Sequence, residues 1–309
     1  MFAEAFLFSK PVRASDTIRM RMEPVCYLNG AVLPLAQARV GISDLGMLRG
    51  FGIYEGIAAF GGEPFRYDDH WERFERSAGK LGLLLPSSKE EAREAMRALA
   101  AHNAPDARAN IRMVLTGGEA QGGLEHVPGR ETLFIAAAPH EPLPAEYYER
   151  GASLITHEHR RFMPETKTIH YIAAVALQPK RKEAGAIEIL YTGGGRVLEC
   201  ATSNVFIVKD GAVHTPGADV LKGVTRAVTL ELAEGTYPIR EAAISLPALF
   251  DADEVFITSS FKDIVPIVSV DGRAVGAGAP GPVTRDLMRR FAGYAHTRLK
   301  SRVVSCKVS

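Results

Sequence analysis

Apolar and polar positions in the early part of the chain predict short strands joined by tight turns. Val25 to Leu28 and Ala31-Val32-Leu33 flank Asn29-Gly30, and an Asn-Gly pair between apolar runs is a strong hairpin signal. Phe51 to Phe60 is apolar and rich in strand formers, and Gly61-Gly62 turns it toward Pro64-Phe65-Arg66. The period then changes. Trp71, Phe74, Ala78 and Leu81 fall on one helical face, with Asp68 or Asp69 as the cap. Lys89 to His102, rich in Ala, Glu, Arg and Met, predicts a second helix. Ile111 to Leu115 and Thr132 to Ala138 read as strands on either side of a glycine-rich stretch, Thr116 to Gly123.

The run Pro139-His-Glu-Pro142-Leu-Pro144 disfavours both helix and sheet interior and predicts a linker over residues 139–146. Beyond it the pattern gives strands at Ala152–Thr156, Ile187–Tyr191, Asn204–Val208, Glu254–Ile257 and Ile264–Val270. It gives helices at Ile169–Glu183, Thr225–Glu234 and Val283–Tyr294. Strands in hairpins with helices interspersed, and no strict alternation, predict an α+β fold with mixed sheets. The expected organisation is a leader over 1–24, a smaller N-terminal domain over 25–138, the linker, and a larger C-terminal domain over 147–309.

Composition narrows the class. A chain of 309 residues with 46% hydrophobic and 24% charged residues has ample material for a core. A formal net charge of +1 without a basic block gives no footprint for nucleic acid. No apolar run approaches the ~20 residues that span a bilayer. Cys26, Cys200 and Cys306 are odd in number and far apart, which predicts free thiols and a cytoplasmic location. The start has no small-residue cleavage site after its Phe/Leu/Ala patch, so it reads as a loosely attached leader.

Candidate chemistry begins at Lys167, which follows Pro164-Glu165-Thr166 and precedes a predicted amphipathic helix. A lysine amine whose pKa is lowered by burial or a nearby cation can bond to a carbonyl cofactor. Glu199 sits among apolar strand residues, where a carboxylate needs a cationic partner, and a protonated pyridine nitrogen would be one. Leu221-Lys222-Gly223-Val224-Thr225-Arg226 opens a helix whose first N–H groups suit an anion. Thr258-Ser259-Ser260 adds hydroxyls at a strand end, and Arg73 adds a guanidinium. Each feature alone has an ordinary structural explanation. Together they are the components of a pyridoxal phosphate site. Gly50-Phe-Gly52-Ile-Tyr-Glu-Gly56 does not match the dinucleotide fingerprint, because its third glycine comes one residue late. His157-Glu158-His159 lacks further ligands at metal-binding spacing, and Cys200 reads as a small packed residue.

This set resembles the class IV aminotransferases, of fold type IV, from about Tyr27 to Tyr294. The stretches that carry the resemblance are Gly52-Ile-Tyr-Glu-Gly-Ile57, His70-Trp-Glu-Arg73, Leu198-Glu-Cys-Ala-Thr-Ser-Asn-Val-Phe206 and Leu221-Lys-Gly-Val-Thr-Arg226. It implies two domains with pyridoxal 5′-phosphate between them, and a homodimer whose partner loops complete the substrate pocket. It also implies a Schiff-base role for Lys167, a pyridine partner in Glu199, and phosphate ligands in Arg73, Val224, Thr225 and Ser260. Arg160 or Arg161 lies near the cofactor. Arg49, Tyr54 and Arg112 are the substrate-pocket candidates. The expected activity moves an amino group between an amino acid and a 2-oxo acid such as 2-oxoglutarate. Gly52–Ile57 leans toward branched-chain enzymes and Thr202–Phe206 toward D-amino acid enzymes. Leu115-Thr116-Gly117-Gly118 lacks the arginine usual in the D-specific members, so the balance falls on a branched-chain-like substrate. The alternatives are a D-amino acid or R-amine transaminase, an aminodeoxychorismate lyase, and a non-catalytic small-molecule-binding protein.

Overall fold

The computed structural model describes residues 23–105 and 107–303, with side chains described to residue 295. Most of the expected leader and Cys306 lie outside the described residues. The N-terminal sheet begins with the hairpin β1 (Val25–Leu28) and β2 (Ala31–Pro34), turned by Asn29 and Gly30 at positive φ. After the one-turn helix α1 (Leu45–Arg49) come β3 (Gly52–Phe60) and the short β4 (Glu63–Pro64). Helices α2 (Tyr67–Leu81) and α3 (Lys89–Asn103) follow, then β5 (Ala109–Thr116) and β6 (Thr132–Pro139). The strand order is β2-β1-β6-β5-β3-β4. Both helices cover one face, where Ile53, Ile57, Trp71, Phe74, Met96, Ile111 and Ile135 form a core.

Residues 140–145 carry the prolines and join this sheet to the short helix α4 (Glu146–Glu149). The second sheet takes β7 (Ala152–Glu158), then helices α5 (Ile172–Ala176) and α6 (Gln178–Glu183). It continues with β8 (Glu188–Gly193), β9 (Arg196–Cys200), β10 (Asn204–Lys209) and β11 (Ala212–Thr215). After α7 (Val224–Ala233) come β12 (Ile239–Glu241), β13 (Ile244–Ser245) and α8 (Leu246–Phe250). The hairpin β14 (Glu254–Ser259) and β15 (Asp263–Val270), with β16 (Arg273–Ala274) and α9 (Pro282–Val303), completes the described chain. The order is β12-β11-β10-β14-β15-β7-β8-β9-β13, with β16 paired to β15. Parallel pairs at β11–β12, β15–β7 and β7–β8 sit among antiparallel ones. This is the mixed α+β architecture expected. One face packs on α7 and α9 through stacked Phe206 and Phe256 with Val228, Leu287 and Phe291. The other face packs around Leu154, Val197, Ile244 and Leu249.

Two expectations need correction. The helix expected over Ile169–Glu183 starts late and is broken into α5 and α6 at 172–176 and 178–183: Tyr54 N–H donates to the Lys167 carbonyl at 2.9 Å, and Ile169 N–H to the Gly52 carbonyl at 3.0 Å. The reason is a free edge. β4 pairs only with Ala59 and Phe60, so the Gly52–Tyr54 end of β3 is open to residues 167–169, and helix starts only at Ile172. Nor does Asp68 or Asp69 cap α2. The helix starts at Tyr67, with Arg66 at the cap in a left-handed conformation and no side-chain capping bond. The aspartates lie in the first turn, where they favour the helix dipole.

Candidate active site

The cleft between the two sheets is lined by Lys167, Glu199, Arg73, Arg161, Val224 and Ser260 among others. Lys167 enters it because residues 167–169 are pinned to β3. Its Nζ lies 4.5 Å from the centroid of the Tyr54 ring. Burial, reinforced by the Arg73 charge, lowers the Lys167 amine to about 7, while Glu55 and Glu199 pull the other way. An amine near 7 is substantially uncharged at neutral pH, as a nucleophile and proton acceptor must be.

Glu199, on β9, is only 5% exposed. Its Oε1 accepts from Arg161 Nη1 at 3.0 Å and its Oε2 from Leu221 N–H at 3.1 Å. Burial pushes the carboxyl up, against the lowering effect of Arg161, the Leu221 N–H and Lys167. Arg161 is itself fixed, because its Nη2 donates to the Thr166 carbonyl at 2.7 Å. Arg160 instead reaches Asp219 at the surface. The alternative left open by spacing thus falls to Arg161.

The opposite wall is built for an anion. α7 starts at Val224 behind Gly223, which offers no side-chain cap, so the first N–H groups remain available to a ligand. Asn204 holds this entry by donating from Nδ2 to the Leu221 carbonyl at 2.7 Å. Beside it, Thr258 Oγ1 and Ser259 Oγ are buried with no hydrogen-bond partner among the described residues, and both residues line the cleft. Buried hydroxyls without partners are costly unless a ligand completes them. Arg73 reaches the same wall from α2. Its Nε and Nη2 fork onto the fully buried Glu55 at 2.8 and 2.7 Å, and Nη1 donates to the Lys222 carbonyl at 3.0 Å. The Arg73 guanidinium is one of the groups that hold Glu55 at about 2 despite burial. His70 Nδ1 lies 2.7 Å from the same carboxylate.

The substrate candidates separate. Tyr54 is beside Lys167, and its hydroxyl donates to the Tyr171 hydroxyl at 2.7 Å. Arg112 is exposed and pairs across β5 with Gly56. Since side chains alternate along a strand, Arg112 lies on the same sheet face as Tyr54. Arg49 is exposed, donates to the Leu48 carbonyl, and borders a separate cavity of about 770 Å³. The structure does not bring it to the cofactor cleft. Glu55 and Tyr171 were missed as site residues, and Thr258 and Ser259 entered the reading only as hydroxyls near a strand end. The one signal for Glu55 was its place in Gly52-Ile-Tyr-Glu-Gly-Ile57.

A lysine with a lowered pKa, a buried carboxylate at one end and an anion cradle at the other define a site of the pyridoxal phosphate class. Comparison with known proteins agrees: residues 52–270 match the family model for amino-transferase class IV, and the chain belongs to that family. A D-alanine aminotransferase of Listeria monocytogenes is 34% identical over 271 residues, covering 85% of this chain and 93% of the relative. The solved branched-chain amino acid aminotransferase of Escherichia coli is 28% identical, with a TM-score of 0.81 over 88% of this chain and 94% of its own. A second branched-chain amino acid aminotransferase, solved with pyridoxamine 5′-phosphate, is also 28% identical, with a TM-score of 0.80 over 87% of this chain and 93% of its own. The Thermoproteus uzoniensis branched-chain aminotransferase, solved with norvaline, is 28% identical, with a TM-score of 0.78 over the same shares, 87% and 93%. The cofactor of the family, pyridoxal 5′-phosphate, suits the charges and the open hydroxyls of this cleft, and its substrates are amino acids and their keto acids. Among the described residues, no helix is long and apolar enough to cross a membrane.

Proposed function

We propose that this aminotransferase uses Lys167 as its catalytic amine and moves an amino group from a branched-chain-like amino acid to 2-oxoglutarate. The observation that carries the reading is the single cleft in which Lys167 lies with Glu199 and with the anion wall of Val224, Thr225 and Ser260. When bound, pyridoxal phosphate supplies an aldehyde that captures the substrate amine and a ring that accepts the electron pair left by the departing α-proton. Lys167 Nζ holds the cofactor between turnovers, then takes the proton from the substrate α-carbon. Glu199, oriented by Arg161, keeps a proton on the pyridine nitrogen. The α7 N-terminus, Ser260 and Arg73 hold the phosphate, with the unpartnered Thr258 and Ser259 hydroxyls beside them.

Arg112, on the Tyr54 face of the sheet, is suited to the second carboxylate of 2-oxoglutarate. A D-amino acid substrate is the second reading, supported by the name of the Listeria relative. Met47 and Phe162 are 74% and 76% exposed, and Leu48 and Leu124 add further exposed apolar surface. Exposed apolar side chains of this kind support a homodimer that covers them. A half-reaction screen tests the assignment: the cofactor-loaded protein is mixed with single L-amino acids, D-alanine, and R- and S-amines while the spectrum is followed. L-leucine and L-valine are expected to convert the aldehyde absorbance to that of the amine form. Conversion by D-alanine alone would replace the branched-chain assignment with the D-specific one.

A further inference from the structure

The turn between β14 and β15 is held from the opposite sheet. Arg108, the residue before β5, sets a guanidinium fork on Asp263: Nη1 donates to Oδ2 at 2.8 Å and Nη2 to Oδ1 at 2.7 Å. The same Nη2 donates to the Ser260 carbonyl at 2.7 Å. The guanidinium also lies over the Phe60 ring of β3, 4.8 Å from its centroid. Asp263 has a φ of +56°, a left-handed conformation that persists in a non-glycine residue when its surroundings hold it there. A second contact comes from the same sheet, because a Cβ on Gly56 would stand 3.1 Å from Phe261 Cζ. On the other side, Lys262 Nζ donates to Glu188 Oε1 at 2.6 Å, Thr202 Oγ1 at 2.8 Å and Ser203 Oγ at 3.1 Å. The stretch Thr258–Ser260, which lines the cleft, runs directly into these ties.

We propose that Arg108 is a positioning residue for the anion-binding turn: it holds Ser260 and Asp263 from the N-terminal sheet without lining the cleft itself. The inference rests on the reading of Thr258–Ser260 as part of the phosphate wall. Preorganisation is the physical basis, since a turn already fixed by the fork loses little further freedom when an anion binds. A lysine at 108 keeps the charge and loses the two-pronged geometry.

The test titrates pyridoxal phosphate and phosphate-free pyridoxal into apo protein by absorbance, for wild type, Arg108→Lys, Asp263→Asn and Ser260→Ala. Arg108→Lys and Asp263→Asn are each expected to raise the Kd for pyridoxal phosphate about tenfold, as for loss of one charge-assisted hydrogen bond. The Kd for pyridoxal stays within about twofold, because the lysine and ring contacts are untouched. Equal weakening of both ligands, or no change in either, overturns the proposal. If Ser260→Ala loses phosphate selectivity while the two clamp variants keep it, the phosphate wall stands and the clamp alone is rejected. If Ser260→Ala also keeps it, both readings fall. Should Arg108→Lys not fold, Asp263→Asn decides the same question.

Discussion

At the residue scale the distinctive property is an amine that burial and neighbouring guanidinium groups make easier to deprotonate. Lys167 is lowered to about 7, against roughly 10.4 for an exposed lysine. The rate at which apo protein captures pyridoxal phosphate is therefore expected to rise with pH through a midpoint near 7. A stopped-flow pH series measures it, and a midpoint near that of free lysine would show that the amine is not desolvated. Glu199→Gln removes the charge proposed to face the ring nitrogen but keeps the shape. Its transamination rate is expected to fall by about 10²-fold or more, as for loss of a positioned electrostatic contact, while the protein still binds cofactor. That Lys167, Glu199, Arg73 and Ser260 belong together in one cleft was legible because their chemistry is distinctive and their local motifs intact. Glu55 and Tyr171 were not. Their roles depend on Arg73 and Tyr54 meeting them across 18 and 117 residues of sequence, which no local pattern encodes.

At the element scale, periodicity located most strands and the amphipathic helices to within a few residues. It failed where an edge decided the outcome. The apolar residues after Lys167 have helical spacing and form helix from Ile172, yet the free edge of β3 bonds residues 167–169 first and thereby aims the lysine at the cleft. Short elements such as β13, β16, α4 and α8 carry too few residues to show a period. The start of α7 gives a prediction at this scale. A Cβ on Gly223 would overlap Asn204 Oδ1, whose side chain holds the Leu221 carbonyl. Gly223→Ala is expected to weaken cofactor binding by about tenfold or more and to destabilise the apo protein by about 1–3 kcal/mol. Titration and thermal melts measure both, and unchanged affinity would show that the α7 entry does not hold the phosphate.

At the scale of the whole molecule, two sheets meet around buried ionised groups, and this sets its acid limit. Glu55 is lowered to about 2, and Glu131 and Glu188 are also below the ordinary 4.5. A depressed carboxyl contributes stability that is complete above its unfolded pKa and is lost as pH falls through its folded one. The apo protein is thus expected to begin losing Tm below about pH 6.5, where burial makes His70 resist protonation, and to lose it progressively as the carboxylates protonate from about pH 5 toward about pH 2–3. A melting series across that window checks this, and Glu188→Gln should reduce the slope. The substrate is the least legible property at this scale, because Arg112 and Tyr54 share a sheet face only through the pairing of β3 with β5.

In the proposed mechanism Lys167 is the amine that holds the cofactor. The most direct measurement is borohydride reduction of the pyridoxal phosphate-loaded protein, followed by peptide mass spectrometry. One phosphopyridoxyl group is expected, on the peptide containing Lys167, and none in Lys167→Ala. A label on Lys222 or Lys262, or no label on a protein saturated with cofactor, would contradict it.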